Sequence, residues 1–145
     1  MKKTFLSTLT IAITVAALAQ SEINFSIKHD KKELLKVYKE DAEKNIIKIS
    51  LKDLKKKSAF TFTCSELKTD LSKGKLKRTM AIFTETDNEL LRKETGSLKV
   101  PDVDLEKMLQ ENKIIKIYTW LLPKDPAEAA RVRIRRVHLC TIELI

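Results

Sequence analysis

The chain has 145 residues, a formal net charge of +9, 43% hydrophobic and 34% charged residues, values that suit one modest domain with its own core and a heavily charged surface. Two glycines, Gly74 and Gly96, exclude a P-loop or a dinucleotide fingerprint, because each needs closely spaced glycines where backbone approaches phosphate. Two cysteines 76 positions apart and two histidines 109 apart exclude a local zinc finger or an HExxH helix, so no metal or cofactor is expected.

Lys2 and Lys3 precede eighteen uncharged residues, Thr4 to Ser21, and the stretch carries Ala17-Leu18-Ala19, the small-x-small pattern that a signal peptidase reads. Ser7, Thr8, Thr10 and Thr14 make it too polar to anchor firmly in a bilayer. Residues 1–19 are therefore expected to be a cleaved secretory signal, and residues 20–145 a single mainly-β domain that is secreted or periplasmic. Without Lys2 and Lys3 the charge is still +7, so the basic character belongs to the domain.

From Asp30 to Asn45, Leu34, Leu35, Tyr38 and Ala42 recur at helical spacing, and Asp30 with Glu33 makes a D-x-x-E capping box; this predicts a helix. The competing reading is a strand over Glu33 to Lys39 with Glu40 to Asn45 as the turn of a hairpin into Ile46. Beyond it the period shortens to two. Ile47, Ile49 and Leu51 alternate, as do Phe60, Phe62 and Cys64, and then Met80, Ile82 and Thr84, with Thr86-Asp87-Asn88 turning into a short segment from Glu89 to Glu94. Pro101 breaks the chain before a short helix carrying Leu105, Met108 and Leu109 up to Asn112. Ile114 to Leu122 holds seven large apolar residues in nine positions, the pattern of a central strand buried on both faces. Pro123 to Pro126 ends it, an alanine-rich stretch follows through Ala130, and Arg131 to Ile145 reads as one long final strand.

D-L-x-K tetrads recur at Asp53, Asp70 and Asp104, but their flanks share no repeat; around Asp53 and Asp104 a strand runs through a leucine-bearing turn into a strong strand, as chains do when they cross between the sheets of a sandwich. Several short strands separated by polar turns predict an antiparallel β-sandwich with one or two short helices. The alternative is an α+β plan, with the N-terminal helix packed on a curved antiparallel sheet.

Four of the six arginines, Arg131, Arg133, Arg135 and Arg136, lie within six positions, although lysine outnumbers arginine 23 to six. As a strand, this row would set planar forks at regular spacing, a candidate anion-binding site; the competing reading pairs the arginines with neighbouring acids such as Glu85, or has them guard a sheet edge. A local bulge near Arg135 and Arg136 would let Val137 and Leu139 share the core face with Val132 and Ile134. Cys64 and Cys140 form a candidate disulfide closing a loop of about 75 residues, worth at most about 4.5 kcal/mol on a chain-entropy basis. No catalytic residues are assigned: His138 and Cys140 stand two apart on one strand face but lack a third group to orient the imidazole. His29 reads as a surface residue at a helix start, and the Glu85/Asp87/Glu89 and Asp102/Asp104 groups as solvated turn carboxylates.

These features describe an exported, non-catalytic binding or envelope-interaction module, with an anionic polymer, a membrane surface or another exported protein as partner, and with a small exported hydrolase or a small secreted inhibitor as alternatives. Sparse aromatics and the lack of a basic recognition helix leave no basis for specific nucleic-acid readout.

Overall fold

Alternating apolar residues zip into two sheets whose inner faces share one core. A computed structural model describes residues 23–66 and 75–145. The expected signal segment, residues 1–19, and the tetrad at Asp70 lie outside the described residues. In chain order the elements are β1 (Ile23–His29), β2 (Lys32–Val37), β3 (Ile46–Ile49), a 3-10 turn (Leu51–Asp53), β4 (Ala59–Glu66), β5 (Leu76–Thr84), β6 (Glu89–Lys93), β7 (Ser97–Pro101), α1 (Asp102–Asn112), β8 (Ile114–Pro123), α2 (Pro126–Ala129) and β9 (Val137–Leu144).

One sheet has the order β2-β1-β4-β7 and is antiparallel throughout. The other has the order β3-β9-β8-β5-β6; all its pairs are antiparallel except β3 with β9, which departs from the all-antiparallel expectation. The protein is a mainly-β sandwich with few short helices. Phe25, Ile27, Phe60, Phe62, Leu98 and Val100 from the first sheet meet Met80, Ile82, Ile115, Ile117, Leu139 and Ile142 from the second, and Leu105 and Leu109 of α1 join the same cluster. Both Asp-Leu turns cross between sheets as their sequences indicate: the 3-10 turn carries the chain from β3 to β4, and α1 from β7 to β8. Gly96 lets the β6–β7 connection press against β4, where the Cys64 N–H donates to the Gly96 carbonyl at 2.8 Å and a Cβ on Gly96 would meet the Cys64 oxygen at 3.3 Å.

The helix expected over Asp30 to Asn45 is absent, and with it the α+β plan. Asp30 adopts φ 53° in a two-residue turn, and its carboxylate accepts the Ala59 N–H instead of capping a helix. Leu35 and Val37 then pair across from Ile27 and Phe25. Cross-strand burial thus outweighs the local helical period. The strand alternative had the right element but the wrong partner, since β2 pairs back to β1 while β3 lies in the other sheet.

The long final strand is likewise shorter than its sequence pattern. Arg131 to Arg136 form an irregular connection, and β9 begins only at Val137, after all four arginines. The bulge sits further along than expected. Ile117 pairs with Cys140 and Tyr118 with His138, which leaves Leu139 as the extra residue. Val137, Leu139, Cys140 and Ile142 all reach the core as a result, while His138 and Thr141 share the opposite face.

Cys64 and Cys140 are both buried, one in each sheet, and no disulfide joins them. Burial pushes the Cys140 thiol well above its ordinary pKa, which holds it protonated and unreactive.

Candidate functional site

The outer face of the β3-β9-β8-β5-β6 sheet carries a second, smaller apolar cluster built on Ala81, Phe83 and Trp120, with Tyr118 and Leu122 against it. This is why β8 reads as apolar on both faces: Ile115 and Ile117 look inward, while Tyr118 and Trp120 look outward. Phe83 and Tyr118 meet edge to face at 5.6 Å between centroids, and Tyr118 meets His138 edge-on at 5.5 Å. Cations close the top. The Arg92 guanidinium lies 5.1 Å over Trp120, and Arg136 lies 4.8 Å over Phe83 and 5.1 Å over Tyr118.

Arg136 also donates to Asp87 at 2.9 Å, and this bond holds the Asp87 carboxyl below its usual range and raises the guanidinium. Glu40, from the connection between β2 and β3, makes a two-point clamp: Oε2 accepts Arg135 at 3.0 Å and Oε1 accepts the His138 backbone N–H at 2.9 Å. His138 is buried, its Nε2 lies 2.9 Å from Thr141 Oγ1, and its Nδ1 has no partner among the described residues. Desolvation lowers its pKa below the ordinary 6.5, with Lys116 acting in the same direction and Glu40 against it.

The four arginines are therefore not one site. Arg135 and Arg136 are committed to Glu40 and Asp87, not to Glu85, and they fasten the connection to the sheet. Arg131 and Arg133 are exposed and have no acidic partner among the described residues. Between and beside them stand Val132 at 45% and Ile134 at 49% exposure, two of the six exposed large apolar residues among those described. The arrangement is a short mixed cationic and apolar segment, tethered at its C-terminal end.

At the other end of the molecule, sequence reasoning missed a pair made by a buried carboxylate and a half-buried imidazole. Asp102, 1% exposed at the start of α1, accepts His29 Nε2 at 2.8 Å and the Lys55 N–H at 2.7 Å through Oδ2, while Oδ1 has no partner among the described residues. The His29 ring stacks on Phe60 at 4.3 Å. Asp102 is thus neither solvated nor a turn residue, and His29 is no surface residue at a helix start. A carboxylate on an imidazole is the orienting half of a nucleophilic triad, but Ser58, which borders this junction, gives its hydroxyl to Asp30. The pair ties β1, the segment after the 3-10 turn and α1 together. His138 and Cys140, placed two apart on one face by simple alternation, lie on opposite faces because of the bulge.

Among the described residues there is no group of three or more His, Cys, Asp or Glu able to hold a metal ion, and no helix long and apolar enough to cross a membrane. Comparisons of the chain with family models, with curated proteins and with solved structures give no match.

Proposed function

We propose that the protein is an exported, non-catalytic binding module that docks on an anionic lipid surface through residues 131–134. The observation that carries this reading is the segment's composition and freedom together: Arg131 and Arg133 lack acidic partners among the described residues, and Val132 and Ile134 stand about half exposed between cations. Cations are drawn to acidic headgroups, with about 1 kcal/mol for each near the surface, and the apolar side chains gain by entering the headgroup boundary. An acidic polymer such as a polysaccharide would use the arginines but leave Val132 and Ile134 in water. The Glu40 and Asp87 contacts hold the segment's base on the sheet, which lowers the entropy lost on docking.

Vesicle co-sedimentation tests the reading. Replacing Arg131 and Arg133 with Gln should weaken binding to phosphatidylglycerol vesicles about thirtyfold. Replacing Val132 and Ile134 with Ser should weaken vesicle binding while retention on heparin stays unchanged. Equal loss on vesicles from replacing any two exposed lysines would overturn it. Export is tested separately by the mass of the mature chain, which should begin at or near Gln20.

A further inference from the structure

The two sheets do not close over each other on every side. β6 is an edge of one sheet and β7 an edge of the other, and α1 runs beside them. The gap is an open groove of about 370 Å³, within the size range of small-molecule sites. Val100, which is buried, and Leu90, Leu91 and Met108, which are half-buried, make its floor. Its rim is charged and exposed, and the charge is unevenly placed. The strand lip carries Lys93 and Lys99, while the helix lip carries Asp104, Lys107 and Glu111. No hydrogen bond or ion pair occupies Lys93 or Lys99 among the described residues, whereas the neighbouring Arg92 is paired with Glu89 and stacked on Trp120.

We propose that this groove binds a small anionic amphiphile, one carboxylate or phosphate head on a short aliphatic body. Charge complementarity fixes the class and the orientation. An anionic head is attracted to Lys93 and Lys99 on the strand lip, whereas on the helix lip Asp104 and Glu111 outnumber Lys107 and repel it, so it sits against the strands while its body covers the apolar floor. A neutral amphiphile gains only the floor. A cationic one meets two lysines on one lip and can pair only on the other. The groove lies among β6, β7 and α1, elements separate from the 131–134 segment, so its ligand and the docking surface can be tested apart.

The chain has three methionines, of which Met108 lines the groove and Met80 is fully buried in the core, so methyl-labelled methionine gives a reporter and an internal control. Titration of the full chain with decanoate, below its micelle concentration, should shift the Met108 methyl resonance saturably and leave Met80 in place. Decanol should bind more weakly. Exchanging Lys93 and Lys99, both exposed, for Gln should weaken decanoate about tenfold and leave decanol unaltered, while replacing Arg131 and Arg133 with Gln should change neither. The proposal is overturned if Met108 does not move, if decanoate and decanol bind equally, or if the lysine exchange has no effect. It is also overturned if Met108 shifts on dilution of the protein alone, which would mean that a second copy of the chain covers the groove.

Discussion

At the scale of single residues, the His29–Asp102 pair is the sharpest test of how the two crossings are held. A buried polar atom deprived of its partner loses about 1–3 kcal/mol. Among the described residues Asp102 already has one oxygen without a partner, so removing His29 leaves its carboxyl with the Lys55 N–H and also removes the stacked ring from Phe60. His29→Ala should therefore lower the unfolding free energy in urea by about 3 kcal/mol, near the top of that range. An exposed histidine, which is how the sequence reads, would cost less than about 0.5 kcal/mol. This pair was illegible because its members are 73 positions apart and Asp102 sits in a proline-aspartate break of ordinary turn character. The arginine cluster was legible in composition and wrong in geometry. Four arginines in six positions do mark an unusual segment, but only the positions of Glu40 and Asp87, 95 and 49 residues away, divide them into two that fasten and two that face outward.

At the scale of elements, the same long-range partners decide where β9 begins. Apolar residues recur closely enough from Val132 to Leu144 to read as one bulged strand, yet α2 has just turned the chain and Glu40 captures the His138 N–H at the point where pairing with β8 begins. Glu40→Ala should free the connection without unfolding the sheet. Amide exchange at His138 should become about fivefold faster, the change expected for about 1 kcal/mol of lost hydrogen bonding, while the Ile142 amide, inside the ladder, keeps its wild-type rate. The error over Asp30 to Asn45 has a different origin. Leu34, Leu35, Tyr38 and Ala42 do fit a helical face, but Ile23, Phe25 and Ile27 alternate strictly just before them. A strand there needs a partner, and the nearest is the chain after the Asp30 turn. The signal was present in residues 23–29, and it outweighs the helical period because pairing buries Leu35 and Val37 against the core while a helix would leave β1 an open edge.

At the scale of the whole molecule, the sandwich was readable because period-two segments and the two leucine-bearing turns carry it, whereas the parallel β3–β9 pair and the outer cluster depend on which strands become neighbours. That outer face, together with Asp30 in the β1–β2 turn, also makes stability depend on pH in two separate ranges. His138 is kept neutral by burial, its pKa lowered from 6.5, so above that value both folded and unfolded chains carry it uncharged and its contribution is full. Below about 6.5 the unfolded chain takes up a proton that the folded chain resists, and stability falls by at most about 1.4 kcal/mol per pH unit until the folded pKa is passed. Asp30 and Asp87 follow a second, more acidic course. Their pKa values are lowered from 3.8, Asp30 chiefly by the Ser58 hydroxyl and Asp87 chiefly by Arg136, so their contribution is complete above about 3.8 and is lost as pH falls below it. Urea unfolding of the wild type and of His138→Gln at matched pH values separates the two ranges. The difference between their unfolding free energies should shrink as pH falls from 7 to 5, because only the wild type carries the imidazole, whereas the loss below about pH 4 from Asp30 and Asp87 should be common to both proteins. A difference that is constant from pH 7 to pH 5 would show that His138 titrates alike in the folded and unfolded chains, and that the outer face of the sheet does not exclude water from it.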